Sequence, residues 1–363
     1  MNSPKTCFLI PSVASGGIEM YLLRFLNYLE DTSRITVLVR SNSKGELYEE
    51  YKATGVTLKF LPLGYLSPLK ILQHSQYYKE QKFDVICDFN ANFAGIPMLL
   101  AKRLDVPKRI AFYRQGSNHF APSFVKNRVN TYMNRLVYKN ATHILSNSQA
   151  ALDFFFPYKT ADDTRFDVIY NGVNIEDYNI SESKESIRND LGIPQQAFVI
   201  GHVGRLDKAK NHETILKVFQ QIHDEEFLSH LVLCGRDTEK LLPRIQELGI
   251  TDKTSIMGYR KDIPRVLKSL DCFFFPSITE GQPNALIEAM VSGVPIVASN
   301  IPAIQECVPK SYAAKLQDPL DLVGLKAEIM NIILRKPENI SSEEMQRFDD
   351  KANFEVFKKI LNG

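Results

Sequence analysis

Residues 279–290 read Thr279-Glu280-Gly281-Gln282-Pro283-Asn284-Ala285-Leu286-Ile287-Glu288-Ala289-Met290. An apolar run, Cys272-Phe273-Phe274-Phe275, leads into them through Pro276-Ser277. The order is buried strand, a loop with one acid, one glycine and one proline, and then a helix opening at Asn284. That arrangement makes an anion site, because first-turn N–H groups have no intrahelical acceptor and the helix dipole favours negative charge. Gly281 lets main chain approach a ligand without a side chain between them. Glu280 stands beside the site and Glu288 about one turn into the helix. Carboxylates on either side of a phosphate cradle suit a ligand with phosphates in its middle and hydroxyls at both ends, which is the shape of a sugar nucleotide.

The same run, continued through Gly293-Val294-Pro295-Ile296-Val297-Ala298, resembles the Glu-x7-Glu signature of retaining GT-B glycosyltransferases, specifically glycosyltransferase family 4. The resemblance implies an α/β fold of two doubly wound Rossmann-like domains facing a central cleft. It further implies that Glu280 holds hydroxyls of the transferred sugar and that Glu288 binds the ribose. Gly281 and the Asn284, Ala285 and Leu286 turn would meet the donor.

The alternation of elements agrees with that fold. Continuous apolar runs such as Ile35–Val39, Val85–Asp88, Phe198–Val203 and Leu231–Cys234 alternate with amphipathic helical segments such as Glu19–Leu29 and Glu213–Ile222. Unbroken apolar strands are covered on both faces, hence parallel and sandwiched by helices. A turn-rich break at Tyr170–Asn174 and a polar run at 181–190 suggest a linker. The expected organisation is an acceptor-side domain over 1–175, a nucleotide-sugar domain over 185–340, and a terminal segment 341–363. Within that segment, Phe348–Leu361 is expected as a helix crossing back to the first domain.

Val203-Gly204-Arg205-Leu206-Asp207-Lys208-Ala209-Lys210-Asn211 leaves one strand and enters a helix. Cations at a strand's carboxyl end are placed to clamp a diphosphate. The run is similar to the family's Gly-Arg-Leu…Lys-Asn motif, which implies that Arg205 and Lys210 hold the donor phosphates beside Gly204. Lys208 does not match and reads as solvated. Ser15-Gly16-Gly17-Ile18-Glu19 resembles the family's Gly-Gly-x-Glu loop, so Gly16 and Gly17 are expected at the donor, with Glu19 structural. Gly258-Tyr259-Arg260-Lys261-Asp262 looks like the loop that reads the nucleobase. Tyr259 and Arg260 are assigned there, with Arg260 either stacking on the base or bridging Asp262. Acceptor-side candidates are Asn90 and Asn92 after one strand, and Arg114 and His119 after the next. The chain reads Phe112-Tyr113-Arg114-Gln115 where many family members carry a histidine motif.

The resemblance implies a retaining hexosyl transfer from a UDP- or GDP-linked sugar to a glycan or lipid-linked acceptor, in surface polysaccharide assembly. No cofactor and no metal are expected. The alternatives are an epimerase or hydrolase of the same fold, or a non-catalytic sugar-nucleotide-binding partner of such an assembly.

Bulk properties bound the partners. The net charge of +2 over 363 residues excludes a dedicated nucleic-acid binder. Residues 101–140 nevertheless carry nine basic residues against Asp105 alone, which fits a solvated helix face or a patch meeting anionic lipid. Scattered cysteines without a Cys-x-x-Cys pair suit a reducing compartment. With no apolar run long enough for a signal or a membrane span, the expected location is cytoplasmic, peripheral at the inner face of the membrane.

Overall fold

The structure is a computed structural model and describes residues 3–64, 67–116, 124–225, 227–335, 340 and 342–363. The chain divides into two compact units, residues 1–171 with 351–363, and residues 172–350.

In the first unit seven parallel strands form one sheet: β1 (Thr6–Ile10), β2 (Ile35–Val39), β3 (Thr57–Phe60), β4 (Val85–Asp88), β5 (Lys108–Tyr113), β6 (His143–Ser146) and β7 (Phe166–Val168), in the order β3-β2-β1-β4-β5-β6-β7. Thr6 of β1 aligns with Ile35 on one side and Val85 on the other. Side chains alternate faces along a strand, so β1 feeds two cores. Phe8 and Ile10 enter one cluster with Tyr21, Phe25 and Phe112. Cys7 and Leu9 enter the other, with Tyr78, Met98 and Ile144. The terminal helix Asp350–Asn362 belongs to the first of these cores through Phe354, Phe357 and Leu361.

In the second unit five parallel strands, β8 (Phe198–Val203), β9 (Ser229–Cys234), β10 (Thr254–Gly258), β11 (Cys272–Phe275) and β12 (Ile296–Ala298), run in the order β10-β9-β8-β11-β12. Each sheet reverses its winding at one place, between β1 and β4 and between β8 and β11. In doubly wound sheets ligands bind outside the carboxyl ends of the strands at such switch points.

Two expectations need correction. Residues 341–350 belong to the second unit, not to the terminal segment. The polar run expected as linker contains a helix, Lys184–Leu191, whose N-cap Ser183 accepts from the Ser186 N–H and whose Gly192 closes the other end at positive φ. Its charges are not all solvated. Arg188 is buried and donates to the Ser269 carbonyl at 2.9 Å and to Asp271 at 2.6 Å. Lys184 takes the other Asp271 oxygen at 2.6 Å. Burial opposes ionisation of Asp271, but these two cations and the Val199 N–H outweigh it and hold the carboxyl below its usual range.

Candidate functional site

The second unit's switch point gathers three loops that were read separately from sequence, after β8, β10 and β11, and a fourth, after β9, that was not. Main-chain bonds tie them into one rim. The Gly204 N–H donates to the Cys234 carbonyl at 2.8 Å, the Leu206 N–H to Arg236 at 2.9 Å, and the Gly235 N–H to Gly258 at 2.8 Å. The Ile278 N–H donates to Ala209 at 2.8 Å. The loops after β8, β9, β10 and β11 thus hold one another.

Gly235 was not anticipated, and it explains how the rim closes. It sits at φ +153°, and a Cβ on it would lie 2.0 Å from the Gly204 carbonyl oxygen. Only glycine permits that approach. The signal was present as Cys234-Gly235-Arg236 after an apolar strand, but a single glycine there does not identify its own partner.

Lys210 and Glu280 lie 70 residues apart and meet here, Nζ to Oε1 at 2.7 Å, with Lys210 also 4.9 Å over the Phe275 ring. Beneath them is an aromatic layer. His202 stacks on Phe275 at 5.7 Å and meets the His212 edge at 5.0 Å. It donates Nδ1–H to the Phe274 carbonyl at 2.9 Å. Burial holds both histidines neutral, pushing His202 well below its ordinary value and His212 down to about 4. Lys210 therefore stands on an uncharged floor, with the Glu280 carboxylate as its counter-charge. Asn211, in left-handed conformation, reaches the Pro276 and Pro319 carbonyls at 3.0 and 2.8 Å and fixes the turn behind Lys210.

Arg205 is different. Its side chain is 71% exposed and only 3.4 Å from Asp207. It is therefore a mobile-length cation at the edge of the rim, not part of the held pair. Lys208 forms the short turn with Lys210, which Asp207 caps by accepting from the Ala209 N–H at 2.9 Å.

The helix Asn284–Val291 opens toward the Glu280–Gly281 loop with no side-chain cap. Its first turn offers fewer free donors than expected. The Asn284 N–H goes to the Gln282 carbonyl and the Leu286 N–H to Pro283, both at 3.0 Å. Ala285 is the amide of this turn with no protein acceptor among the described residues. Leu286 itself is buried in the core, which corrects its placement as a direct ligand contact. Glu288 is half-buried one turn further in.

At the β10 loop, Arg260 bridges Asp262 with two bonds of 2.8 and 2.6 Å. Of the two roles left open, the structure records the ion pair. The exposed ring is instead Tyr259, with the Arg236 guanidinium 5.0 Å from its centroid. Arg236 was also missed by sequence reasoning.

In the first unit Gly16 caps the helix Gly17–Tyr28. A Cβ on Gly16 would lie 2.4 Å from a Glu19 carboxyl oxygen, whereas one on Gly17 would meet nothing within 4 Å. A side chain on Gly16 would displace the Glu19 carboxyl from its present place, whereas Gly17 presents open space. Glu19 is buried, accepts from the Ser12 hydroxyl at 2.9 Å, and has its carboxyl raised by burial. Asn90 donates to Asp88 at 2.7 Å, and Asp88 is paired with Arg40. Asn92 does not line a rim: it is buried and donates to Asn130 at 2.7 Å. Its expected acceptor role is corrected to packing between the Ala91–Ala94 turn and the helix Phe124–Asn140. Arg114 lies 3.5 Å over the Tyr21 ring and donates to Asn171. Burial pulls its guanidinium down to about 10. It is a half-buried cation directly after β5, packed on the Tyr21 ring. His119 lies outside the described residues.

Among the described residues no three His, Cys, Asp or Glu side chains converge as a metal site, and no helix is long and apolar enough to cross a membrane.

Comparison with known proteins places both units. The family described as glycosyl transferases group 1 matches residues 183–351, and glycosyltransferase family 4 matches residues 15–177. The chain is 24% identical over 365 residues to the capsular polysaccharide biosynthesis glycosyltransferase CapH of Staphylococcus aureus, covering 98% of each. It is 27% identical over 211 residues to the Escherichia coli UDP-Gal:alpha-D-GlcNAc-diphosphoundecaprenol alpha-1,3-galactosyltransferase, covering 56% of this chain and 51% of that enzyme. Its fold is that of Anabaena Alr3699/HepE in complex with UDP and glucose, at a TM-score of 0.79, 22% identity and 98% coverage of both chains.

Proposed function

Since the chain belongs to the group 1, family 4 glycosyltransferases, we propose that it moves a hexosyl group, with retention, from a UDP-linked sugar to a lipid-linked glycan acceptor in bacterial surface polysaccharide assembly. The single observation that carries this reading is the held pair of Lys210 and Glu280 at the second unit's switch point. An ammonium and a carboxylate in contact are the two groups a sugar diphosphate needs side by side, one for phosphate and one for sugar hydroxyls. UDP is favoured because HepE has been crystallised with it and the galactosyltransferase is named for a UDP donor. The lipid-linked acceptor is taken from the diphosphoundecaprenol in that same name, and work at the cytoplasmic face of a membrane is part of the proposal.

In the proposed mechanism the acceptor hydroxyl attacks from the face the diphosphate leaves. The C1–O bond to phosphate breaks as the new C1–O bond forms, and the hydroxyl proton passes to the departing phosphate oxygen. No protein base is needed. The protein's part is to stabilise charge growing on the diphosphate. Lys210 does so by leaving Glu280 for phosphate, the Ala285 N–H adds a donor, and Arg205 closes from the edge. Glu280, released, accepts from sugar hydroxyls, and Glu288 from the ribose. These cations stand where other enzymes use a divalent ion, so activity without added metal is part of the proposal.

The test is thermal stability of the purified protein with UDP, GDP, ADP and CMP, with and without chelator. A nucleotide at 100 times its dissociation constant adds about 2.7 kcal/mol of stability. Stabilisation by UDP alone, unchanged by chelator, is the expected result. Stabilisation by GDP alone, or loss of the effect in chelator, overturns the donor or the metal-free assignment respectively.

A further inference from the structure

His202, near the carboxyl end of β8, carries a buried nitrogen that the fold itself does not use. The residue is 1% exposed. Its Nδ1 faces the Phe274 carbonyl at 2.9 Å. A carbonyl accepts and does not donate, so the proton sits on Nδ1 and Nε2 keeps its lone pair. Among the described residues no donor reaches that Nε2. A buried acceptor without a donor is costly, and native structures keep few of them.

The ring is held in place. It stacks on Phe273 at 6.2 Å and on Phe275 at 5.7 Å, with interplanar angles of 8° and 22°, while His212 closes its edge. Nε2 is directed at Gly204, where a Cβ would lie 2.7 Å from it. The same Cβ would lie 3.4 Å from both Cγ and Cδ of Lys210. Ring nitrogen and lysine stem therefore border one small space, which Gly204 leaves open by having no side chain. An ammonium has three N–H donors. Among the described residues Glu280 is the side-chain acceptor that Lys210 uses, so a donor without a fixed place lies close to an acceptor without a donor.

We propose that His202 is a positioning residue for Lys210: when the lysine turns from Glu280 to the donor diphosphate, Nε2 accepts one of its N–H groups and fixes the ammonium in its phosphate-bound place. The proposal rests on the reading that Lys210 binds the diphosphate. A neutral acceptor suits this task. A second carboxylate would compete with phosphate for the lysine's charge, whereas an imidazole lone pair takes one N–H and leaves the charge to the ligand. Burial, then the neighbouring His212 and Lys210, disfavour an imidazolium at His202, so the lone pair is available near neutral pH.

The test uses the full chain, with UDP as the probe and calorimetry at neutral pH. His202→Asn puts an amide nitrogen near the Nδ1 place, where it can keep the Phe274 bond, and removes the Nε2 acceptor. It should weaken UDP binding about tenfold, the scale of one hydrogen bond to a charged group. His202→Gln, whose amide oxygen reaches toward the Nε2 place, should recover most of that affinity. In a Lys210→Ala background His202→Asn should cost nothing further, because the two residues act through one contact; a merely structural role would weaken binding equally with and without Lys210. A second measurement does not depend on the folding of the His202 variants. In otherwise unaltered protein carrying isotope-labelled histidine, UDP should move one unprotonated ring-nitrogen resonance upfield, as an acceptor does on gaining a donor, and Lys210→Ala should abolish the movement. Unchanged UDP affinity in His202→Asn, an equal loss in both backgrounds, or a resonance that ignores UDP overturns the proposal. So does an Nε2 already hydrogen-bonded before UDP is added, which would mean that a buried water holds it. Wild-type protein that fails to bind UDP overturns the donor reading and this proposal together, whereas binding that falls in Lys210→Ala but not in His202→Asn removes the positioning role alone.

Discussion

At the scale of single residues, the contact between Lys210 and Glu280 separates a catalytic from a structural role. The two side chains are partly exposed, at 21% and 11%, so their attraction adds no more than about 1 kcal/mol to folding. If each instead serves the transferred group, Lys210→Ala and Glu280→Ala each lower turnover by roughly 10²–10³-fold while the melting temperature barely moves. The double variant should lose much less than the product of the two, since both act on one transition state. Steady-state kinetics on purified variants reads this directly, and near-wild-type turnover in both singles would remove the assignment. The glycines make a second contrast. Gly235→Ala forces a Cβ to 2.0 Å from the Gly204 carbonyl, whereas Gly17→Ala meets nothing within 4 Å. Gly235→Ala should therefore abolish UDP-induced stabilisation and lower the melting temperature. Gly17→Ala should melt like wild type, with any loss confined to turnover. If Gly235→Ala binds UDP normally, the rim is not held as described.

At the scale of elements, strands and their alternation with helices were legible because parallel strands here are unbroken apolar runs; Ile35–Val39, Val85–Asp88 and Phe198–Val203 begin and end as expected. Less legible was anything decided by a partner far along the chain. Lys184–Leu191 looked like solvated charge because Arg188 gives no hint in sequence of Asp271, 83 positions away. Gly235, Arg236 and the burial of Asn92 were hidden for the same reason, since each depends on which loop lies opposite. The helix's dependence on that partner is measurable. Arg188→Ala leaves Asp271 with Lys184 and the Val199 N–H but removes the donor of the Ser269 and Ala197 carbonyls, and should destabilise the second unit by about 1–3 kcal/mol; a loss under about 1 kcal/mol in urea titration contradicts the buried network. Between β8 and its following helix, the His202 and His212 layer adds a pH dependence. Their folded values lie below the unfolded 6.5, so between those limits the unfolded chain binds more protons. Their contribution is complete above about pH 6.5. It falls as pH drops toward His212's value of about 4, by up to about 1.4 kcal/mol per pH unit for each. Urea midpoints that stay level from pH 7.5 to 5 would mean that these rings are not buried neutral.

At the scale of the whole molecule, the two units differ in how their cores are written along the chain. The second, residues 172–350, is continuous, and the described buried residues of its central cluster run from Ile200 to Ile329, with Phe198, Met330, Ile332 and Ile333 packed against them. The first is interrupted. Its larger aromatic cluster needs Phe354, Phe357 and Leu361 from the end of the sequence. Phe357 lies 4.7 Å from Phe25, 5.5 Å from Phe112 and 6.2 Å from Phe8, so the terminal helix completes a packed centre instead of covering a finished one. Lys108 also uses its ammonium on the last carbonyls of that helix, at 2.6 and 3.0 Å, where a cation suits the helix dipole. A single buried phenylalanine truncated to alanine costs about 3–5 kcal/mol, which is comparable to a domain's whole margin of stability. Residues 172–350 expressed alone should therefore fold, melt cooperatively and be stabilised by UDP. Residues 1–171 alone should be insoluble or molten, and adding 351–363 through a short linker should restore cooperative melting. A cooperative, soluble 1–171 fragment would show that the terminal helix is an accessory, and Phe357→Ala in the full chain would then cost far less than 3 kcal/mol.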